Sequence, residues 1–318
     1  MPDLFARASG STLIRLAITA AILAYLATLI DMGDAARAVG AIRRPHLLLV
    51  FGLVAIDRAV MILRWILLLR ASGIAIKPRD ATRLFLVSSF VGSFLPAGVG
   101  ADAARAYGLA REATTGSEAL ASVVVDRLLG VLSLVAMGAV GLIAWAPQGR
   151  AEWRIAVAVI VLAIACVGVL WADLWLRWLV PTHRHGGPVT RRVLRLSDAV
   201  SRYRSHRGVL VHVMAWSLVV QLLRITQAYI LALGLGMSVP FTYFLLFMPI
   251  GLLMLLLPIS ISGFGLPQQV IVWLLRPMGV PDSSSFALST LIVLTGLAGN
   301  LPGLWLWLRS RRRPGSDG

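Results

Sequence analysis

The chain has 318 residues, of which 58% are hydrophobic and only 14% charged, whereas in soluble domains about a quarter are charged; a soluble globular protein is excluded. Its net charge of +16, from 30 Lys and Arg against 14 Asp and Glu, does not point to nucleic acid, because most of the basic residues flank apolar runs, the pattern that orients membrane spans and meets anionic headgroups. The single cysteine, Cys166 inside an apolar run, rules out a disulfide framework and a cysteine metal cluster, and no cofactor is expected.

Residues 13–30 form an apolar run near Arg7 and Arg15. No small-residue cleavage site ends it and many further spans follow, so it is expected to be an uncleaved first span. Residues 47–69 make a second span, unusual in carrying Asp57, Arg58 and Arg64. After a basic loop at 70–83 the apolar run 84–95 reaches a Leu-Pro step, passes through a Gly/Ala-rich turn and restarts as a short helix at 101–111 bearing Asp102, Arg105 and Arg111. As a helix, 84–95 covers roughly 18 Å, against about 30 Å of bilayer hydrocarbon. It is therefore read as one arm of a re-entrant hairpin at 82–111.

The third span, 119–145, contains the pair Asp126-Arg127, and the fourth, 155–178, ends in Trp171, Trp175 and Trp178, where an interfacial aromatic belt is expected. In the most basic stretch, 182–207, Val193, Leu196, Val200 and Tyr203 recur at helical spacing while Arg191, Arg192, Arg195, Arg202 and Arg204 take other faces. This predicts an amphipathic helix lying on the membrane surface, with a solvated loop as the alternative. A fifth span, 209–235, carries Gln221, Arg224 and Gln227 along one flank. A second hairpin, 241–277, holds LLLPISISGFGLPQQ, an echo of the first turn. The sixth span, 286–308, ends in Trp305 and Trp307 before Arg309, Arg311, Arg312 and Arg313.

Interrupted segments at matching places in two halves of a membrane protein point to a substrate site built on broken helices. The predicted fold is thus an all-α integral membrane domain over 1–318, with six full transmembrane helices and two re-entrant hairpins in an inverted repeat, its halves being 1–145 and 154–308. With both hairpins re-entrant, twenty of the 30 basic residues fall on one side, six on the other and four (Arg58, Arg64, Arg127, Arg224) within spans. The positive-inside bias then places both termini in the cytoplasm, of a bacterial inner membrane.

A charge at mid-bilayer costs roughly 2.5 to 3.5 kcal/mol on insertion scales, so each of those four arginines needs a partner or a wet cavity. Asp57 with Arg58 or Arg64, and Asp126 with Arg127, are candidates for structural pairs that lock helices together. Arg224 has only glutamines near it in its own helix, so its partner must come from another span or from a ligand anion. Gly98, Gly100, Gly263 and Gly265 permit tight turns or, in a broken helix, free backbone N–H groups for an anion. No GxxxxGK[ST] or GxGxxG is present, and no Ser/His/Asp or Cys/His grouping falls on neighbouring predicted elements, so the chain is not read as an enzyme.

The turn at Pro96 to Arg105 in LPAGVGADAAR, the acidic-Arg pair Asp126-Arg127 after it, and the late turn PISISGFG from Pro258 to Gly265 occur in the order seen in one family. The chain resembles the flippase-like integral membrane proteins, also described as the lysylphosphatidylglycerol synthase transmembrane-region family, from its second span to its last. That resemblance implies a helical domain that moves or accommodates a polar, anionic or isoprenoid-linked lipid. It departs from the pattern at Ala101, where a second glycine is usual, and at Gln268 and Gln269, where a carboxylate is common; no lysyltransferase activity is expected, since no stretch here reads as a soluble aminoacyl-transferase module.

The candidate substrate-binding set is Arg64, Gly98, Gly100, Asp102, Arg105, Asp126, Arg127, Arg224, Ser262, Gly263, Gly265 and Gln268, with membrane lipids as partners. Two alternatives stand beside a flippase-like role: a non-transporting subunit that scaffolds or regulates a lipid- or glycan-modifying enzyme, and a membrane glycosyltransferase.

Overall fold

The computed structural model describes residues 40, 42, 44–93, 100–145, 188–254 and 265–311. Among them all regular structure is helical: α1 (Arg44–Ala71), α2 (Pro78–Gly92), α3 (Gly100–Glu112), α4 (Gly116–Trp145), α5 (Pro188–Ser205), α6 (Arg207–Gly234), α7 (Phe241–Met254), α8 (Leu266–Leu275) with a short 3₁₀ turn after it, α9 (Asp282–Ala298) and α10 (Leu301–Arg311). Four stretches are long and apolar enough to cross a membrane: α1, α4, α6, and α9 running on into α10. They coincide with the expected second, third, fifth and sixth spans. The expected first and fourth spans, and the turns 94–99 and 255–264 that hold Gly98, Ser262 and Gly263, lie outside the described residues.

The stretches expected on either side of the two turns form short helices, α2 and α3 in the first half, α7 and α8 in the second. Local chemistry sets their ends. α2 begins at Pro78 after an extended Lys77, a position where the missing proline N–H costs nothing. α8 begins after Gly265, whose φ of 99° suits glycine and few other residues, and the Gly265 N–H donates to Gln268 Oε1 at 2.6 Å. Pro249 inside α7 removes a donor from the carbonyl four residues back, that of Leu245.

Close helix contacts are made at glycines, as expected where burying apolar surface from water is no longer the driving force. α7 runs along α4, and a Cβ on Gly141 would strike the Leu245 backbone, so α4 packs where Pro249 has freed a carbonyl. α2 runs between α3 and α10; side chains at Gly92 and Gly303 would collide with Ala101 and with the Leu86 backbone. Three apolar clusters fill the remaining space. One joins Val54, Ile225, Phe244, Phe247 and Leu288 across α1, α6, α7 and α9; another joins Trp65, Phe85, Leu109 and Ala119.

The third cluster changes the reading of α5. Its apolar face, with Ala199, Val200 and Tyr203 buried, packs on Leu68, Val125, Leu129 and Val213 of α1, α4 and α6, so it is occupied by protein instead of lipid. Burial pushes the Tyr203 phenol up to about 12. On the outer face Arg202 pairs with Glu118 at 3.1 Å, an exposed pair worth at most about 1 kcal/mol. The sequence period marked the buried face correctly; periodicity cannot say what covers it.

The glycine contacts give a direct test. Gly141→Ala should lower stability in detergent by about 1 to 3 kcal/mol, the usual cost of overpacking, read as a lower melting temperature. Gly52→Ala, in open space on α1, should stay within about 0.5 kcal/mol. Equal melting of the two variants would mean that α4 and α7 are not in close contact.

Candidate functional site

α1, α2, α3, α4, α6, α7 and α9 surround a cavity of about 370 Å³, within the usual range for small-molecule sites. Its polar wall follows from helical spacing. On α1, Val54, Asp57, Met61 and Arg64 line it at intervals of three or four; on α6, Val220, Gln221, Arg224, Gln227, Ala228 and Leu231 do the same. The flank of Gln221, Arg224 and Gln227 singled out in the sequence is therefore a cavity face. Asp102 and Arg105 come from α3, Asp126 and Arg127 from α4.

The ion pairs differ from those suggested by neighbours in sequence. Asp126 turns away from Arg127 and takes Arg64 at 2.8 Å and Arg105 at 3.5 Å. Arg127 instead pairs with Asp102, its Nε donating at 2.7 Å. The reason is geometric: consecutive residues on a helix do not face the same neighbour. Arg64 likewise passes over Asp57 in its own helix, and its second donor goes to Ser217 Oγ at 2.9 Å. Asp57 receives Arg224 at 3.0 Å and lies 3.9 Å from Arg58. Arg224 thus finds its carboxylate on another span, and Arg58 crosses to the Gly296 carbonyl at 3.1 Å.

Arg105 is almost fully enclosed. It donates to Asp102 at 2.6 Å, and its guanidinium carbon lies 4.9 Å from the centre of the Phe85 ring and 5.3 Å from that of Trp65, where the negative faces of the rings favour a cation. Arg64 and Arg105 are 5% and 7% exposed, while Arg58, Arg224 and Arg127 are 19%, 27% and 38% exposed.

Neutral polar groups complete the wall. Gln221 Nε2 donates to Ser133 Oγ at 3.2 Å and to the Gly130 carbonyl at 3.3 Å. Asn300, at the break between α9 and α10, donates to Ser93 at the end of α2 at 2.9 Å. Gln221 Oε1, Gln227 Nε2 and Asn300 Oδ1 are buried without a hydrogen-bond partner among the described residues; such atoms are costly unless something satisfies them.

Of the candidates read from sequence, Arg64, Asp102, Arg105, Asp126, Arg127 and Arg224 meet at this cavity. Gly100 starts α3 beside it. Gly265 and Gln268 start α8 and are absent from its wall, where Gln268 serves as the cap of that helix. Arg58, Asp57, Ser93 and Asn300 were missed as wall residues. For Asn300 a signal was available: Gly-Asn-Leu-Pro inside an apolar run marks a broken helix.

Residues 12–303 match the model of the family described as the lysylphosphatidylglycerol synthase TM region, and the chain belongs to that family. A search of the curated proteins finds no match.

The pairing predicts unequal costs. Asp126→Asn leaves Arg64 and Arg105 without their shared carboxylate and should destabilise by about 3 to 5 kcal/mol, as breaking buried pairs does. Arg224→Gln leaves Asp57 beside Arg58 and should cost about 1 kcal/mol or less. Melting curves of both proteins in one detergent check this; an Asp126→Asn variant as stable as wild type would remove the structural role assigned to that carboxylate.

Proposed function

We propose that this membrane protein of the lysylphosphatidylglycerol synthase TM-region family takes the anionic headgroup of a lipid into the arginine-lined cavity and moves it across the bilayer, the acyl or isoprenoid tails staying in lipid. One observation carries the reading: five arginines gather on one cavity wall among membrane-crossing helices. Charge at that depth is costly and is concentrated where polar substrates pass. The planar guanidinium matches phosphate oxygens in paired hydrogen bonds.

The finer architecture belongs to the same proposal: six spans and two re-entrant hairpins in an inverted repeat, with both termini in the cytoplasm of a bacterial inner membrane. Its support is the exchange of packing between halves, α2 of the first hairpin lying along α10 and α7 of the second along α4. Each hairpin then leans on a full span of the other half, so that tilting one half against the other alters access to the shared cavity.

Transport is tested in vesicles holding the purified protein and a fluorescent anionic phospholipid, by following accessibility of the headgroup to a quencher outside. Wild type should accelerate movement, while Arg224→Gln and Arg127→Gln should reduce it about tenfold, equivalent to about 1.4 kcal/mol. Binding without movement would favour the scaffolding role. Topology is tested with Cys166 replaced: single cysteines at Ser205 and Ser316 should label only from the cytoplasm, and those at Gly149 and Ser284 only from outside. Labelling of Ser205 from outside would overturn the re-entrant arrangement.

A further inference from the structure

The amide side chains of the cavity wall are held at one end only. Gln221, buried on α6, donates from Nε2 to Ser133 Oγ at 3.2 Å and to the Gly130 carbonyl at 3.3 Å. A carbonyl can only accept, and the Ser133 hydroxyl already gives its proton to that same carbonyl at 2.7 Å, so the amide has one orientation. Its Oε1 is left in the cavity wall without a donor. Asn300 repeats the arrangement. Its Nδ2 donates to Ser93 Oγ at 2.9 Å, the Ser93 hydroxyl donates to the Ser89 carbonyl at 3.0 Å, and Asn300 Oδ1 has no partner among the described residues. Gln227 Nε2 has the opposite need, a buried donor without an acceptor.

These atoms stand about a turn away from guanidinium N–H groups aimed at a weak acceptor. Arg224 and Arg58 point N–H groups at the Met61 thioether, at 2.9 and 3.7 Å, and Arg58 Nε is buried without a hydrogen-bond partner. Thioether sulfur accepts weakly, whereas phosphate oxygens accept strongly from guanidinium. Gln221 precedes Arg224 by three residues on one helix face, and Asn300 follows by four residues the Gly296 carbonyl that takes Arg58 at 3.1 Å.

Resting on the lipid-headgroup reading above, we propose that the headgroup is a phosphodiester carrying a neutral polyol or sugar, whose phosphate oxygens take the donors around Met61 and whose hydroxyls are read by Gln221, Asn300 and Gln227. The mixture of needs selects this chemistry. A hydroxyl both donates and accepts, so one kind of group meets two lone carbonyl oxygens and a lone N–H, whereas an ammonium only donates and a phosphate oxygen only accepts. An ammonium would also enter within about a turn of Arg224 and Arg58, where like charges repel. A site built to hydrogen-bond a hydroxyl rejects the analogue that lacks it, because the site's own polar groups then stay unpaired.

The test uses the purified full-length protein in neutral detergent, with lipid binding read by native mass spectrometry and by thermal shift. Phosphatidylinositol is compared with phosphatidylethanol, which has the same phosphodiester charge and no hydroxyl, and with phosphatidylethanolamine. Phosphatidylinositol should bind about tenfold more tightly than phosphatidylethanol, the effect of one or two hydrogen bonds, and phosphatidylethanolamine no better than phosphatidylethanol. Gln221→Met and, independently, Asn300→Leu should each shrink that preference toward equality while phosphatidylethanol binds as before. Arg224→Gln should weaken both anionic lipids and keep the preference. Equal binding of phosphatidylinositol and phosphatidylethanol by wild type overturns the inference, water alone then serving the amides, and leaves the headgroup site standing. A preference that survives in both folded amide variants reflects headgroup size and overturns the role given to these side chains. Tighter binding of phosphatidylethanolamine than of phosphatidylinositol overturns the hydroxyl in favour of an ammonium. Binding of none of the three removes the headgroup reading itself. Glycerophosphoinositol, the deacylated headgroup, that stabilises as well as phosphatidylinositol would keep the hydroxyl reading and reject the lipid as its source.

Discussion

The carboxylate of Asp126 holds the interior together. It receives Arg64 from α1 and Arg105 from α3 while sitting on α4, so three helices converge on one buried charge. In a medium where an isolated charge is costly, such a shared group specifies an arrangement: sliding any of the three helices by a turn would strand a guanidinium. Apolar packing among spans is far less particular, because lipid is as good a neighbour as another helix.

Around that anchor the structure separates stiffness from access. The enclosed arginines are wedged against protein, Arg105 between two carboxylates and the faces of Trp65 and Phe85. The outer ones each keep a partner yet meet open space. Glycines at Gly92, Gly141 and Gly303 bring α2 against α3 and α10, and α7 against α4, which fixes the wall against which the outer charges stand. Gly299 does the same for Arg58: a Cβ there would lie 3.0 Å from its Nε and obstruct its reach to α9.

Among the described residues the cavity wall gathers five arginines and three aspartates from helices far apart in the chain. Fold and function are separable here: the scaffold supplies the cavity, and the chemistry it can do depends on the side chains along its wall.

The amino-acid sequence by itself determined the class, four of the spans and the polar flank of α6, because these follow from the length and period of apolar runs, and water and lipid read those directly. It also revealed which charges are buried within spans, since Asp57, Arg64 and Asp126 interrupt otherwise apolar runs. What it did not determine is who pairs with whom. Asp126 and Arg127 are adjacent in the chain and part company in the fold, and Arg224 meets Asp57 across 167 positions. The apolar stripe of α5 was equally visible in sequence, yet only packing showed that α4 and its neighbours cover it. A helix fixes the direction in which each side chain leaves it, but the identity of what waits there depends on how helices are set beside one another, and that is settled by contacts distant in sequence.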